Sequence, residues 1–229
     1  MESRLTTKFE PQIMPTTYEH QASSPLEVSH DLLNTMLKRR SIRSFSNRAI
    51  ELGVFENAVK IAASAPSGAN RQAWFFAIIQ NPEVKKQIRD AAEKVEFEFY
   101  HEKAPATWLE DLKPFGTNHQ KPYLTEASTL IAVFSRTCIE NREKPDAPLR
   151  AYYPIESTGI ATGFLISALH QSGIATLTHT PKPMYFLNQV LKLDKTYRPF
   201  MIIVAGYPKI PIALPEISRK PFSEVSNFY

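Results

Sequence analysis

Five consecutive apolar residues, 130–134, read Leu-Ile-Ala-Val-Phe and set the first constraint on the fold. A run this short, with no polar alternation, reads as a strand buried on both faces, so other elements must cover it above and below. The covering elements are legible on either side of it. Helical spacing of apolar residues marks helices over 25–40, 51–64 and 82–101, and a nearly all-apolar stretch over 156–170 reads as a central helix. Gly159, Gly163 and Ser167 repeat every four residues along that last helix, a small-residue stripe that lets another helix approach closely, within the core or across a subunit interface. Further strands are expected over 74–80, 175–178 and 200–205, with a short helix over 185–191.

Helices and strands alternate without an internal repeat or a sharp break in composition. The expected architecture is therefore one α+β domain over residues 25–229. Residues 1–24 carry proline, threonine and serine without a period and read as an N-terminal arm. The stretch 102–127 is long and polar, and a connection of that length is usually a lid or binding segment. Beyond residue 207, Pro208, Pro211, Pro215 and Pro221 leave an irregular extension that still carries Arg219, Phe222 and Tyr229.

Composition narrows the function classes. A hydrophobic fraction of 43% and a charged fraction of 22% are those of a folded globular chain. The net charge of +4 comes from 27 basic residues interspersed with 23 acidic ones, not from a basic stripe, so nucleic-acid binding is not expected. No run is long enough to cross a bilayer, residues 1–15 lack the apolar core of a signal peptide, and Cys138 stands alone. These features imply a cytoplasmic protein in a reducing compartment. The six histidines show no metal-ligand spacing, so no metal site is expected. With seven glycines and no glycine-rich phosphate loop, any phosphate must be held by side chains. Ser67 lies in Pro-Ser-Gly rather than in the elbow of a serine hydrolase.

Several stretches are candidates for chemistry. Residues 39–43, Arg-Arg-Ser-Ile-Arg, are either an anion holder or a basic helix C-terminus that complements the dipole. Pro66 and Gly68 stop the preceding helix and leave free backbone N–H groups in a polar loop. Glu96 and Tyr100, four residues apart, share a helix face beside the apolar stripe of Val84, Ile88, Ala91, Val95 and Phe99. On spacing alone that pair is a surface glutamate beside a half-buried tyrosine, and Lys121 is a surface charge.

Taken together, residues 39–43, residues 65–69 (Ala-Pro-Ser-Gly-Ala), residues 178–181 (Thr-His-Thr-Pro) and residues 206–208 (Gly-Tyr-Pro) resemble the FMN-dependent nitroreductase superfamily in order and spacing. Within it they are most similar to the soluble, bacterial-like form of the branch that deiodinates iodotyrosines. The resemblance covers about residue 32 to the C-terminus. It implies an α+β nitroreductase-like fold, a central mixed sheet flanked by helices, and an intertwined homodimer with FMN at the subunit interface. By match, Arg39, Arg40, Ser41, Arg43 and Arg219 would hold the flavin phosphate and the polar side of its ring, as bidentate guanidinium contacts suit. Pro66, Ser67 and Gly68 would lie along the isoalloxazine. Thr178 and His179 would line its edge, and Thr180 matches the catalytic threonine whose hydroxyl reaches flavin N5.

The same resemblance implies the substrate site. Glu96, Tyr100 and Lys121 reproduce a clamp on the amino-acid end of a halotyrosine, with Glu96 on the α-ammonium and Lys121 on the α-carboxylate. The main-chain N–H of Ala69 would meet the phenolate oxygen, and a lid over about 102–121 would close on substrate. The implied activity is reductive dehalogenation, with electrons from NAD(P)H directly or from a reductase. A broad nitroaromatic or quinone reductase would need no zwitterion clamp, and a flavin-binding or flavin-consuming protein of the same fold would bind FMN without halotyrosine turnover. The chain departs from the family pattern at Ala73, where proline is usual, at Asn70, Arg71 and Gln72 of the loop, and at residues 154–156.

Overall fold

The computed structural model describes residues 24–141 and 143–229, so the expected arm, apart from Ser24, lies outside the described residues. Two compact units are present, Met1–Lys38 and Arg39–Tyr229. Helix α1 (Pro25–Leu37) falls in the first of these, whereas the sequence reading began the main domain at residue 25. A capping box starts α1. The Ser24 hydroxyl accepts from the Glu27 N–H at 3.2 Å, and the Glu27 carboxylate accepts from the Ser24 N–H at 2.9 Å. None of its residues is buried.

In the second unit, strands β1 (Trp74–Ile79), β2 (Thr129–Arg136), β5 (Ala175–His179) and β6 (Tyr197–Gly206) form a four-stranded sheet in the order β1-β2-β6-β5. Every pairing in it is antiparallel. The parallel component of the expected mixed sheet is confined to one isolated bridge between Ser41 and Thr176. Strands β3 (Cys138–Ile139) and β4 (Leu149–Arg150) make a separate two-stranded ribbon.

Strand β2 is central and buried on both faces, as its unbroken apolar run requires. Leu130, Ala132 and Phe134 face one core layer, with Ile88 of α3 (Pro82–Glu98) and Leu187 of α7 (Phe186–Leu191). Ile131 and Val133 face the other, with Phe55 and Ala58 of α2 (Leu52–Ala63) and Leu165 and Leu169 of α6 (Pro154–Gln171). Burying each such side chain contributes about 1.5–3 kcal/mol, so two filled layers hold the sheet between its helices. Among the described residues no helix is long and apolar enough to cross a membrane.

The connection after α3, read from the sequence as a long polar lid or binding segment, is structured. It holds a π-helical turn (Phe99–Lys103), α4 (Ala106–Leu112), a short 3-10 turn (Lys113–Phe115) and α5 (Tyr123–Glu126). Helix α3 was expected to run to residue 101. Instead its α-geometry ends at Glu98, and the Ala104 N–H reaches the Phe99 carbonyl at 2.8 Å, a five-residue step. The extension beyond residue 207 is irregular as expected, apart from α8 (Phe222–Val225).

Candidate active site

The widened turn after α3 opens a cavity of about 420 Å³ at the end of edge strand β5. Helix α3 and its π turn supply Val95, Glu96, Phe99 and Tyr100. The connection folds over them with Trp108, Leu112, Thr117 and Lys121, and α5 adds Tyr123. Strand β5 and the turn after it contribute Thr178, His179, Thr180 and Pro181, and Arg43 completes the wall. Trp108 packs edge-on against Phe99, with ring centroids 4.9 Å apart, so the upper wall is apolar.

Glu96 and Lys121, surface charges on spacing alone, and the half-buried Tyr100 converge in this cavity. The Lys121 side chain is only 3% exposed, and its Nζ lies 3.1 Å from Glu96 Oε2. That ammonium also donates to Thr117 Oγ1 at 3.4 Å and to the Asn118 carbonyl, and it sits 5.1 Å from the centre of the Tyr100 ring. Tyr100 donates to Thr117 Oγ1 at 3.4 Å. Burial lowers the Lys121 pKa, and the adjacent Glu96 carboxylate opposes the shift. Burial likewise raises the Tyr100 phenol above its ordinary value.

His179 and Tyr123 form the cavity floor, with Tyr123 OH and His179 Nδ1 3.3 Å apart. Burial pushes the His179 pKa down to about 3, and the Lys121 charge adds to the shift, so its imidazole is neutral at ordinary pH. Its Nε2 is buried without a hydrogen-bond partner among the described residues. Tyr123 is driven upward by burial and stays a neutral phenol. The folded His179 pKa lies below the unfolded value of 6.5, so the unfolded chain takes up a proton first as pH falls. Stability is therefore lost between pH 6.5 and about 3. Urea unfolding should show the wild type losing about 2 kcal/mol more than His179→Gln between pH 7 and pH 5. Equal losses would mean that His179 ionises freely in the fold.

The arginine-rich segment lies along the open edge of β5, where the Ile42 N–H donates to the Thr176 carbonyl at 3.1 Å. This places Arg39, Arg40 and Ser41 beside the strand and turns Arg43 into the cavity. Arg39 and Arg40 share their neighbourhood with Arg219: burial first, then the charges of Arg219 and Arg40, lower the Arg39 pKa. Arg40 is also tied to the extension through the Pro215 carbonyl.

Residues 66–69 stand apart from this cavity in the single chain. Their loop is held by the Gln72 N–H donating to Ser67 Oγ at 2.9 Å and by a bridge from Gly68 to Tyr152. A Cβ at Gly68 would lie 2.8 Å from the Tyr152 carbonyl oxygen, so only glycine permits that approach. Ala69 has a positive φ of 50°, strained for a side-chain-bearing residue.

Tyr123, Thr117 and Trp108 escaped the sequence reading. The signal available for Tyr123 was its place in Lys-Pro-Tyr-Leu, where a proline starts a short helix two residues after Lys121.

Comparison with known proteins identifies the family. Residues 36–207 match the nitroreductase family. Over 205 residues the chain is 45% identical to the iodotyrosine deiodinase of Haliscomenobacter hydrossis, covering 89% of this chain and 91% of that one. It is 37% identical over 198 residues to the iodotyrosine deiodinase of Drosophila melanogaster, covering 85% and 68% of the two chains. The crystal structure of oxidized iodotyrosine deiodinase bound to FMN and 3-iodo-L-tyrosine superposes with a TM-score of 0.71 at 28% identity, covering 83% of this chain and 96% of that one. The chain belongs to the nitroreductase family and is similar within it to the iodotyrosine deiodinases.

Proposed function

We propose that this protein is an FMN-dependent enzyme that reductively deiodinates iodotyrosines, and that Glu96, Tyr100 and Lys121 grip the amino-acid end of the substrate. The observation that carries this reading is the buried pairing of Lys121 with Glu96 at 3.1 Å beside residues 178–180. A cavity meant only for flat, uncharged aromatics gains nothing from two buried opposite charges, which cost desolvation. An α-amino acid makes them useful. Its ammonium meets Glu96 and its carboxylate meets Lys121, so one ion pair opens into two and no charge is left uncompensated.

The residues present fit FMN. Arg39, Arg40 and Arg219 bring positive charges together, and among the described residues no carboxylate lies within salt-bridge distance of them. A dianionic phosphate supplies the missing negative charge. Near the other end, Thr178 and Thr180 are exposed at the cavity edge, a polar rim for a heterocycle. When bound, the flavin supplies the two electrons that, with one proton, turn a carbon–iodine bond into a carbon–hydrogen bond and iodide. The chain's own residues do the rest. Glu96 and Lys121 orient the amino-acid end, Tyr100 contributes a hydrogen bond, and Trp108, Leu112 and Phe99 keep water from the reacting bond. Thr180 is exposed at the edge of the cavity, and we assign its hydroxyl to a hydrogen bond with flavin N5.

A homodimer is part of this proposal. Ile155, Ile160 and Phe164 leave an exposed apolar face on α6, and residues 66–69 would reach a flavin only from a second copy. The electrons reach the flavin from a nicotinamide nucleotide or a partner reductase.

The test is anaerobic. FMN-loaded protein is reduced with dithionite, freed of excess reductant and mixed with diiodotyrosine. Stoichiometric flavin reoxidation with iodide release is the expected result. No reoxidation by diiodotyrosine, with prompt reoxidation by a nitroaromatic, would replace this reading by that of a general nitroreductase.

A further inference from the structure

Lys85, Arg89 and Glu93 follow one another at intervals of four on α3 and so stack along one face of that helix. All three reach the same short segment, residues 121–127, where the lid rejoins the core. Lys85 is 7% exposed and donates from Nζ to the Ala127 carbonyl at 2.6 Å and the Thr125 carbonyl at 3.2 Å. Arg89 donates from Nη1 to Thr125 Oγ1 at 2.9 Å and from Nε to Glu93 Oε1 at 2.8 Å. Glu93 Oε1 in turn accepts the backbone N–H of Lys121 at 2.6 Å. Nearly one turn later on the same helix, Glu96 holds the other end of that residue, its Nζ.

Building on the deiodinase reading, we infer that Glu93, braced by Arg89, is a positioning residue that presets Lys121 for the substrate carboxylate. Lys85 caps the free carbonyls at the end of α5, which explains its burial as support for the fold. A carboxylate on the N–H of Lys121 does something more specific, because it fixes the point from which that side chain enters the cavity. Tyr123 enters two residues later, from the same root, to meet His179. The segment that delivers two cavity residues is thus held from behind by α3. By contrast, the ion pair at the lid's outer helix, Lys113 with Glu110 at 2.6 Å, is internal to the lid and highly exposed. The root therefore stays with α3 whatever the outer lid does, and Lys121 is in place before the lid closes.

The experiment uses the FMN-loaded full chain and two variants, Glu93→Ala and Glu93→Gln. Diiodotyrosine binding is read from quenching of bound-flavin fluorescence, and the Lys121 amide is followed by hydrogen exchange. Glu93→Ala should weaken diiodotyrosine binding about tenfold and speed exchange at Lys121, with FMN affinity held within about twofold. Glu93→Gln keeps an oxygen acceptor for that N–H and should recover binding to within about threefold of wild type. Unchanged binding in Glu93→Ala would overturn the inference. So would weakened binding accompanied by loss of FMN and faster exchange throughout α3, which would mark a purely structural residue. Failure of the wild type itself to bind diiodotyrosine would instead remove the deiodinase reading, and this inference with it.

Discussion

Lys121→Ala should weaken halotyrosine binding by about 100-fold or more while FMN stays bound. The ammonium it removes is 3% exposed and neutralises Glu96, itself only 13% exposed in the same cavity. Truncating one partner of a buried pair costs about 3–5 kcal/mol, most of it the penalty of the charge left behind. In the variant, Glu96 would still welcome the substrate ammonium, but the substrate carboxylate would enter a low-dielectric space without a cation. The arginines assigned to the flavin phosphate are untouched, so FMN retention is the control. A second variant separates binding from folding. Glu96→Gln combined with Lys121→Met removes both charges, so stability should return toward wild type while affinity for diiodotyrosine does not. Fluorescence titration reads both effects, and an affinity for Lys121→Ala within about twofold of wild type would sink the clamp.

The central part of the fold was legible because its signals are local. The run at residues 130–134 reads as a strand covered on two faces, and the structure places it second in a sheet with core clusters on both sides. Helix periods located α2, α3 and α6 to within a few residues. Signals failed where tertiary partners decide. Helix α3 was expected to bury Val84, Ala91, Val95 and Phe99 together with Ile88, yet Lys85, Ile88 and Ala92 are its buried residues. A lysine becomes internal there because carbonyls at the end of α5 await a donor, and no property of α3 alone reveals them. The same limit applied to the site. Spacing placed Glu96 and Tyr100 on one face but gave no hint that a residue more than twenty positions later would fold back to pair with Glu96. Only the resemblance to a family joined the three. The positive φ values in the loop over 69–72 were equally silent, since alanine, asparagine and glutamine adopt that conformation there without a glycine to announce it.

Arg39→Ala is the counterpart at the cluster assigned to the flavin phosphate, and its expected signature is a change of opposite sign in two measurements. Burial and the neighbouring Arg219 and Arg40 charges lower the Arg39 pKa, so the charged cluster is under repulsion in the protein by itself. Removing one guanidinium relieves that repulsion, and the apoprotein should be as stable as wild type or slightly more so. FMN binding should move the other way, losing about 100-fold, because the partly buried cluster would lose one of the guanidinium groups that would hold the phosphate. Thermal shift makes the contrast visible. FMN at about 100 times the wild-type Kd stabilises wild type by about 2.7 kcal/mol, whereas a variant bound 100-fold more weakly gains only about 0.4 kcal/mol. Added salt should shrink the wild-type gain, since attraction between a phosphate and partly exposed guanidinium groups is screened over about 10 Å at 0.1 M. A residue that merely shaped the β5 edge would behave differently, with Arg39→Ala lowering apoprotein stability and leaving the FMN gain intact. That pattern would move the phosphate away from the cluster of Arg39, Arg40 and Arg219 and leave those charges to be explained by something other than a flavin.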